Sequence, residues 1–200
     1  MTSERTIRAF LALDPPEEIL REIGRVQDRL RKLICGELRW VRPEGIHLTL
    51  KFFGDISENA VVNISTVAGQ VAAAVQPFEL AIEGMGVFPD PHRPRVVWMG
   101  MTGDVARLVT FQQRLERALG EIGFPPEERP FRPHLTLGRI KSPQGLTGLA
   151  EALETGRAVT AGRFTASGLG LFQSDLTPRG AVYTRLAVYP FDPVAGQEDA

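Results

Sequence analysis

The sequence predicts an α+β fold in which two pseudo-twofold-related lobes, each an antiparallel sheet with helices, flank a central cleft. Three observations carry that expectation. Segments of alternating apolarity and segments of helical periodicity succeed one another in the order βαββαββ and then αβαββ, which favours antiparallel pairing over a doubly wound parallel sheet. Gly84-x-Gly86 and Gly168-x-Gly170 both lack the third glycine of a dinucleotide fingerprint, and no phosphate-loop sequence occurs. The tetrapeptide His-Leu-Thr-Leu occurs twice, at 47–50 and 134–137, 87 residues apart, which suggests an internal repeat with each copy in the second strand after a long helix.

Along the chain, Ile7 to Leu13 alternates as a strand, and Asp14-Pro15-Pro16-Glu17-Glu18 supplies a cap, an early-turn proline and acids for a helix start. Ile19, Ile23, Val26, Leu30 and Leu33 then form one apolar stripe. A short strand at 39–41 leads through a Pro43-Glu44-Gly45 turn into a strand from Ile46 to Phe53. Ser57 caps a helix that buries Val61, Ile64, Ala68, Val71 and Val75. Strands are expected at 78–82 and 95–101, with the Gly- and Pro-rich stretch 84–94 as loop. Asp104 opens a helix with Leu108, Phe111, Leu115 and Leu119 inward, and the prolines of 124–133 break regularity before a strand at 134–140. A weak helix at 146–153 and two long strands, 164–172 and 181–191, complete one unit over 1–191. A Thr177-Pro178-Arg179-Gly180 turn joins those strands, and 192–200 reads as a polar tail.

Composition narrows the classes. Of 200 residues, 43% are hydrophobic and 24% charged, enough for a real core and too apolar for disorder. The net charge of −1 argues against a protein that coats long nucleic acid by bulk charge. The single cysteine, Cys35, allows neither an intramolecular disulfide nor a cysteine-based zinc site. No apolar run approaches the ~18 residues of a membrane span, and the N-terminus does not read as a signal peptide. A cytoplasmic, monomeric protein without membrane partners is expected.

Strand alternation gives the repeat its geometry. His47 and Thr49 share one face while Leu48 and Leu50 take the other, and the same division separates His134 and Thr136 from Leu135 and Leu137. A twofold axis would gather the two imidazoles and two hydroxyls around one small site. Such a set suits a phosphate held between a proton donor and a proton acceptor, with no metal or other cofactor. Charge agrees locally. Residues 38–51 carry Arg39, Arg42 and Lys51 against Glu44, and residues 128–141 carry Arg129, Arg132, Arg139 and Lys141 against Glu128. Arg93 and Arg95 add to this, giving a small cationic cleft that fits a phosphate end group better than a long duplex.

At these residues the chain resembles the RNA 2′,3′-cyclic phosphodiesterases, also called 2′-5′ RNA ligases, of the two-histidine phosphoesterase superfamily. The resemblance rests on the paired HxTx motifs and extends through RAFLAL at 8–13, HLTLKFFG at 47–54, GVFP at 86–89, RPRVVWMG at 93–100, FRPHLTLGRIK at 131–141 and LFQSDLTPRGAVYTRLA at 171–187. It implies a bilobal fold with His47 as proton donor to the departing O3′ and His134 as the base that activates water. Thr49 and Thr136 would hold phosphate oxygens, Arg139 would contact the phosphate, and the product would carry a 2′-phosphate. The implied partner is an RNA or nucleotide with a 2′,3′-cyclic phosphate end.

Blander assignments stand beside these. A strand histidine is often a satisfied structural residue, and a zinc set of His47, His92 and His134 lacks helical ligand spacing. Arg139 and Lys51 could be plain surface charges. Trp40 and Phe53 suit the core better than a base-stacking role, and Tyr183 is open. Two further functions remain at the same site: ATP-independent, reversible 2′,5′-phosphodiester joining, and a module that binds an RNA end without turnover.

Overall fold

The computed structural model describes residues 5–178, 180–192 and 194. Its elements are β1 (Thr6–Leu13), α1 (Glu17–Leu33), β2 (Leu38–Trp40), a 3-10 turn (Pro43–Gly45), β3 (Leu48–Ser57), α2 (Glu58–Ala73), β4 (Phe78–Phe88), β5 (Val96–Gly103), α3 (Val105–Glu121), β6 (Leu135–Ile140), α4 (Leu149–Gly156), β7 (Thr160–Ala166), β8 (Gly168–Thr177) and β9 (Gly180–Pro190). Two antiparallel sheets result, in the orders β3-β1-β8-β9 and β2-β6-β5-β4-β7. The run β3-β1-β8 of the first sheet corresponds to β6-β5-β4 of the second, so the expected α+β architecture and its internal correspondence are both present.

Alternation in β1 explains how one strand serves both the core and the cleft. Ala9, Leu11 and Leu13 point into the main core, while Phe10 and Ala12 join Phe172 in a small separate cluster on the other face. The helices cover only the core faces, and they are exchanged. α1 comes after β1 of the first sheet yet packs on the second, where the Gln27 amide donates to the Leu137 carbonyl of β6 at 2.9 Å. α3 comes after β5 of the second sheet and packs on the first, where the Gln112 amide donates to the Leu50 carbonyl of β3 at 3.3 Å. One continuous cluster of buried side chains therefore spans both sheets and all four helices.

Several expectations need correction. The segment 84–94 is not all loop, because β4 continues to Phe88. Gly84 adopts a left-handed φ of 70° beside a register shift that lets the strand run on, and a Cβ at Gly86 would collide with the Trp98 indole across the pair. The strand expected at 164–172 is two strands broken at Ser167, which adds β7 as an edge the composition did not signal. Asp14 does not cap α1; Pro16 holds that position without a side-chain bond, and the Asp14 carboxylate instead accepts from Arg185. On α2, Ile64, Ala68 and Ala72 are buried while Val61 and Val71 are partly so, and Val75, also partly buried, lies beyond the helix, which ends at Ala73. β6 is the first strand after α3, not the second, since the proline-rich stretch before it forms no strand. Arg179 and most of the expected tail lie outside the described residues. Among the described residues no helix is long and apolar enough to cross a membrane.

Lys51 is also misplaced by a surface reading. Its side chain is 5% exposed, and its ammonium donates to Glu116 Oε2 and to the Pro125 carbonyl, each at 2.6 Å. Gln112 donates to the other Glu116 oxygen at 3.1 Å, so the carboxylate is fully engaged. The ion pair thus ties β3, α3 and the start of the 124–133 segment together. Lys51→Met should cost about 3–5 kcal/mol by stranding a buried carboxylate, whereas Lys51→Met combined with Glu116→Leu should cost less than the single change. Urea unfolding of both variants checks this; a single variant as stable as the parent would show the pair to be idle.

Candidate active site

Strict alternation would send residues 52 and 139 to the core, because Leu48 and Leu50, like Leu135 and Leu137, are buried. The structure avoids this with matching irregularities. In β3, Thr49 pairs with Ala12 and Lys51 with Leu11, so Leu50 is skipped. In β6, Thr136 pairs with Trp98 and Gly138 with Val97, so Leu137 is skipped. Each bulge reverses the facing of the residues beyond it and turns Phe52 and Arg139 to the side of Thr49 and Thr136. The skipped carbonyls are the ones that Gln112 and Gln27 grip from the exchanged helices. Arg139 therefore stands at the position equivalent to Phe52, as His134 does to His47.

One cavity of about 280 Å³ draws on both sheets, with His47, Thr49 and Phe52 from the β3 segment and Thr136 and Arg139 from β6. Four of the five expected site residues meet there. His134 lines an adjoining cavity of about 590 Å³, which shares Thr49 and Phe52 with the first. His47 and His134 each stand one residue ahead of their strand rather than inside it. Lys51 contributes no free charge to the cleft, and Arg93 and Arg95 are exposed but line neither cavity. His92 lies in an exposed turn where the Asp90 carboxylate accepts from its backbone N–H, and the zinc set weighed above finds no three-ligand grouping among the described residues. Phe53 packs edge-on against Phe124, as a core role requires.

Each imidazole is seated on aromatic rings. His47 stacks on Phe172 at 5.4 Å and meets Phe10 at a tilt at 5.0 Å, with Tyr183 edge-on at 4.6 Å. Its side chain is only 8% exposed, and burial pushes the imidazole down to about 4. Asp14 Oδ1 lies 4.0 Å from His47 Nδ1, and burial raises the Asp14 carboxyl against the pull of Arg185. His134 meets Phe88 edge-on at 4.9 Å, with Trp98 at 6.4 Å. Burial lowers its pKa too, opposed by the hydrogen bond to the Arg132 carbonyl and helped by the Arg139 charge. That hydrogen bond, 2.7 Å from His134 Nδ1, fixes the tautomer: a carbonyl only accepts, so Nδ1 carries the proton and Nε2 is left as a lone-pair acceptor.

The aromatic seats are themselves a repeat. Phe172 sits across from Phe10, and Phe10 from Phe52; likewise Phe88 sits across from Val96, and Val96 from Arg139. Gly170 and Gly86 occupy the matching positions two residues earlier, where a Cβ would run into Phe172 and Trp98 respectively. The sequence signal is Gly84-Met85-Gly86-Val87-Phe88 against Gly168-Leu169-Gly170-Leu171-Phe172, two glycine pairs dismissed above as failed nucleotide fingerprints. Arg8 was also missed as a site residue. Its guanidinium lies 4.6 Å over the Phe52 ring at the cavity wall, joined there by Ser174 and Tyr183.

Two facing sheets that each present a His-x-Thr ahead of a pinned bulge, with an aromatic behind each histidine, define a two-histidine phosphoesterase. The chain belongs to the LigT-like phosphoesterase family, whose model matches residues 13–98 and 102–183. It is 39% identical over 183 residues to an RNA 2′,3′-cyclic phosphodiesterase of Methanothermobacter thermautotrophicus, covering 92% of this chain and 98% of that one. An Aeropyrum pernix protein of the same name is 37% identical over 82% of this chain and 93% of its own length. Among solved structures, TT0787 of Thermus thermophilus superposes with a TM-score of 0.78 at 28% identity, covering 92% of this chain and 98% of that one. Escherichia coli LigT complexed with 3′-AMP gives 0.74 at 25% identity, covering 94% and 99% respectively.

This geometry has two measurable outcomes. In the free protein, NMR of the ring nitrogens should find His47 titrating near pH 4 and His134 below its ordinary value, both rising as inorganic phosphate binds beside them. A His47 that titrates normally in the free protein would refute its burial against Phe10 and Phe172. Gln27→Leu should destabilise by ~1–3 kcal/mol by removing a buried donor to the Leu137 and Val41 carbonyls, and should weaken phosphate binding as Arg139 loses its aim. Urea unfolding and phosphate titration of that variant read the two effects separately.

Proposed function

We propose that the protein hydrolyses 2′,3′-cyclic phosphate ends of RNA or nucleotides to a 2′-phosphate, with His134 as general base and His47 as general acid. The observation that carries the assignment is the His134 Nδ1–H bond to the Arg132 carbonyl, which leaves Nε2 ready to take a proton from water at neutral pH. As that water attacks phosphorus, His47 delivers a proton to the departing O3′, so the bond from phosphorus to O3′ breaks as the new one forms. Thr49 and Thr136 donate hydroxyls to the non-bridging oxygens, and Arg139 offsets charge that builds on them. Relatives that carry the cyclic phosphodiesterase name over most of this chain's length support the same reaction class.

His47 must arrive at the reaction protonated, although burial disfavours its cation in the empty site. The anionic phosphate supplies the missing stabilisation, because an opposite charge beside a buried imidazolium favours the charged form. The working protonation state is thus a minor one in the free protein and is selected by substrate. For kcat/KM, both limbs of the pH profile should lie below ~6.5, the ordinary imidazole value, since both shifts are downward. For kcat the alkaline limb should move up.

The test is incubation of purified protein with a 2′,3′-cyclic-phosphate oligonucleotide in EDTA, resolving 2′- from 3′-phosphate products. A 2′-phosphate is expected, with His47→Ala and His134→Ala each slower by about 10²–10⁴. Full turnover in both variants would sink the mechanism, and a 3′-phosphate would reverse the leaving oxygen.

A further inference from the structure

The cavity that holds His47 does not end at Arg139. It opens into a groove of about 460 Å³ that runs between β2 and its adjoining 3-10 turn on one side and the tips of β8 and β9 on the other. Arg139 and Tyr183 line both spaces, so the groove is continuous with the catalytic cavity. Three arginines face it, Arg39, Arg42 and Arg139, against one carboxylate, Glu44.

Those arginines are not explained by the fold. Arg39 and Arg139 are direct cross-strand neighbours in the β2–β6 pair, an arrangement of like charges that weakens a sheet. Among the described residues none of the three is paired with a carboxylate. The Arg39 guanidinium lies so close to Gly180 that a Cβ there would stand 2.8 Å from its Nη2, which places the charge at the mouth between the two sheets. Beside them lie Leu176, 72% exposed, and the half-buried Trp40, whose ring packs on the core and has the Arg31 guanidinium 5.5 Å over its face. Unpaired cations beside an exposed apolar side chain are the makings of a single-strand track, where phosphates meet arginine and bases rest on apolar surface.

We propose that this groove holds the single-stranded RNA immediately 5′ of the cyclic end, with Arg39 and Arg42 on the first upstream phosphodiester and the exposed Leu176 against the penultimate base. The proposal rests on the cyclic phosphodiesterase function above and narrows its substrate: oligonucleotides bearing the cyclic end are preferred to cyclic mononucleotides, which fill only the His47 cavity.

The experiment compares kcat and KM for a nucleoside 2′,3′-cyclic phosphate and for a tetranucleotide with the same end, using the parent and an Arg39→Ser/Arg42→Ser variant. The parent should show a KM about tenfold lower for the tetranucleotide, with a steeper salt dependence. The variant should lose that preference while keeping the parent's kcat and KM on the mononucleotide, which also shows that it is folded. Equal KM values for both substrates in the parent would overturn the proposal, as would a variant impaired equally on both. If neither substrate turns over in the parent, the hydrolytic function fails by itself. Fluorescence anisotropy of a labelled tetranucleotide ending in a 2′-phosphate then reads the groove: weaker binding by the variant upholds it, and unchanged binding overturns it.

Discussion

The site depends on two hydrogen bonds made far from any substrate, those of Gln27 and Gln112 to the carbonyls of Leu137 and Leu50. Each amide holds the one residue that its strand skips. The skip converts a run of alternating residues that would hide Phe52 and Arg139 into one that presents them beside a threonine. A buried amide N–H suits this work, since losing its bonds in a dry interior costs more than making them gains, and Gln27 makes them although its own Oε1 is buried without a partner among the described residues. The chemistry at the cavity is therefore set by polar groups on the opposite face of each sheet.

The two halves share this frame and use it differently. His47 rests against the stacked pair Phe172 and Phe10 and has its ring almost closed from solvent, whereas His134 is held from the backbone through Nδ1. At the equivalent third position, one half offers an aromatic ring and the other a guanidinium. Two imidazoles in identical surroundings would titrate alike. Here the asymmetry lies in the surroundings, which is where pKa values are set.

Much of this was legible from residues alone, because the motif and its alternation are local. The repeated His-Leu-Thr-Leu located both histidines and both threonines, and period-two apolarity put the leucines inside. What could not be read was anything that needs a partner distant in sequence. Lys51 looks like a surface cation until Glu116, 65 residues away, is brought against it. The facing of Arg139 is wrong by one step unless the bulge at Leu137 is known, and bulges leave no compositional trace in an apolar strand. The glycine-phenylalanine repeat at 84–88 and 168–172 is visible in the sequence, but a dinucleotide fingerprint is the wrong template for it. The second glycine of each pair, Gly86 and Gly170, makes room for an aromatic ring rather than for a pyrophosphate.

The exchange of α1 and α3 bears on how the chain comes to be folded at all. The contacts that close each sheet span 110 residues between Gln27 and Leu137 and 62 between Gln112 and Leu50. During synthesis, β1, β3 and α2 emerge without α3, and their apolar face waits for a helix encoded after Asp104. Such long-range closure slows folding and leaves the growing chain exposed to aggregation until the second half is made. Neither half covers its own apolar face, so the symmetry visible in the finished protein is not a division along which it can be taken apart.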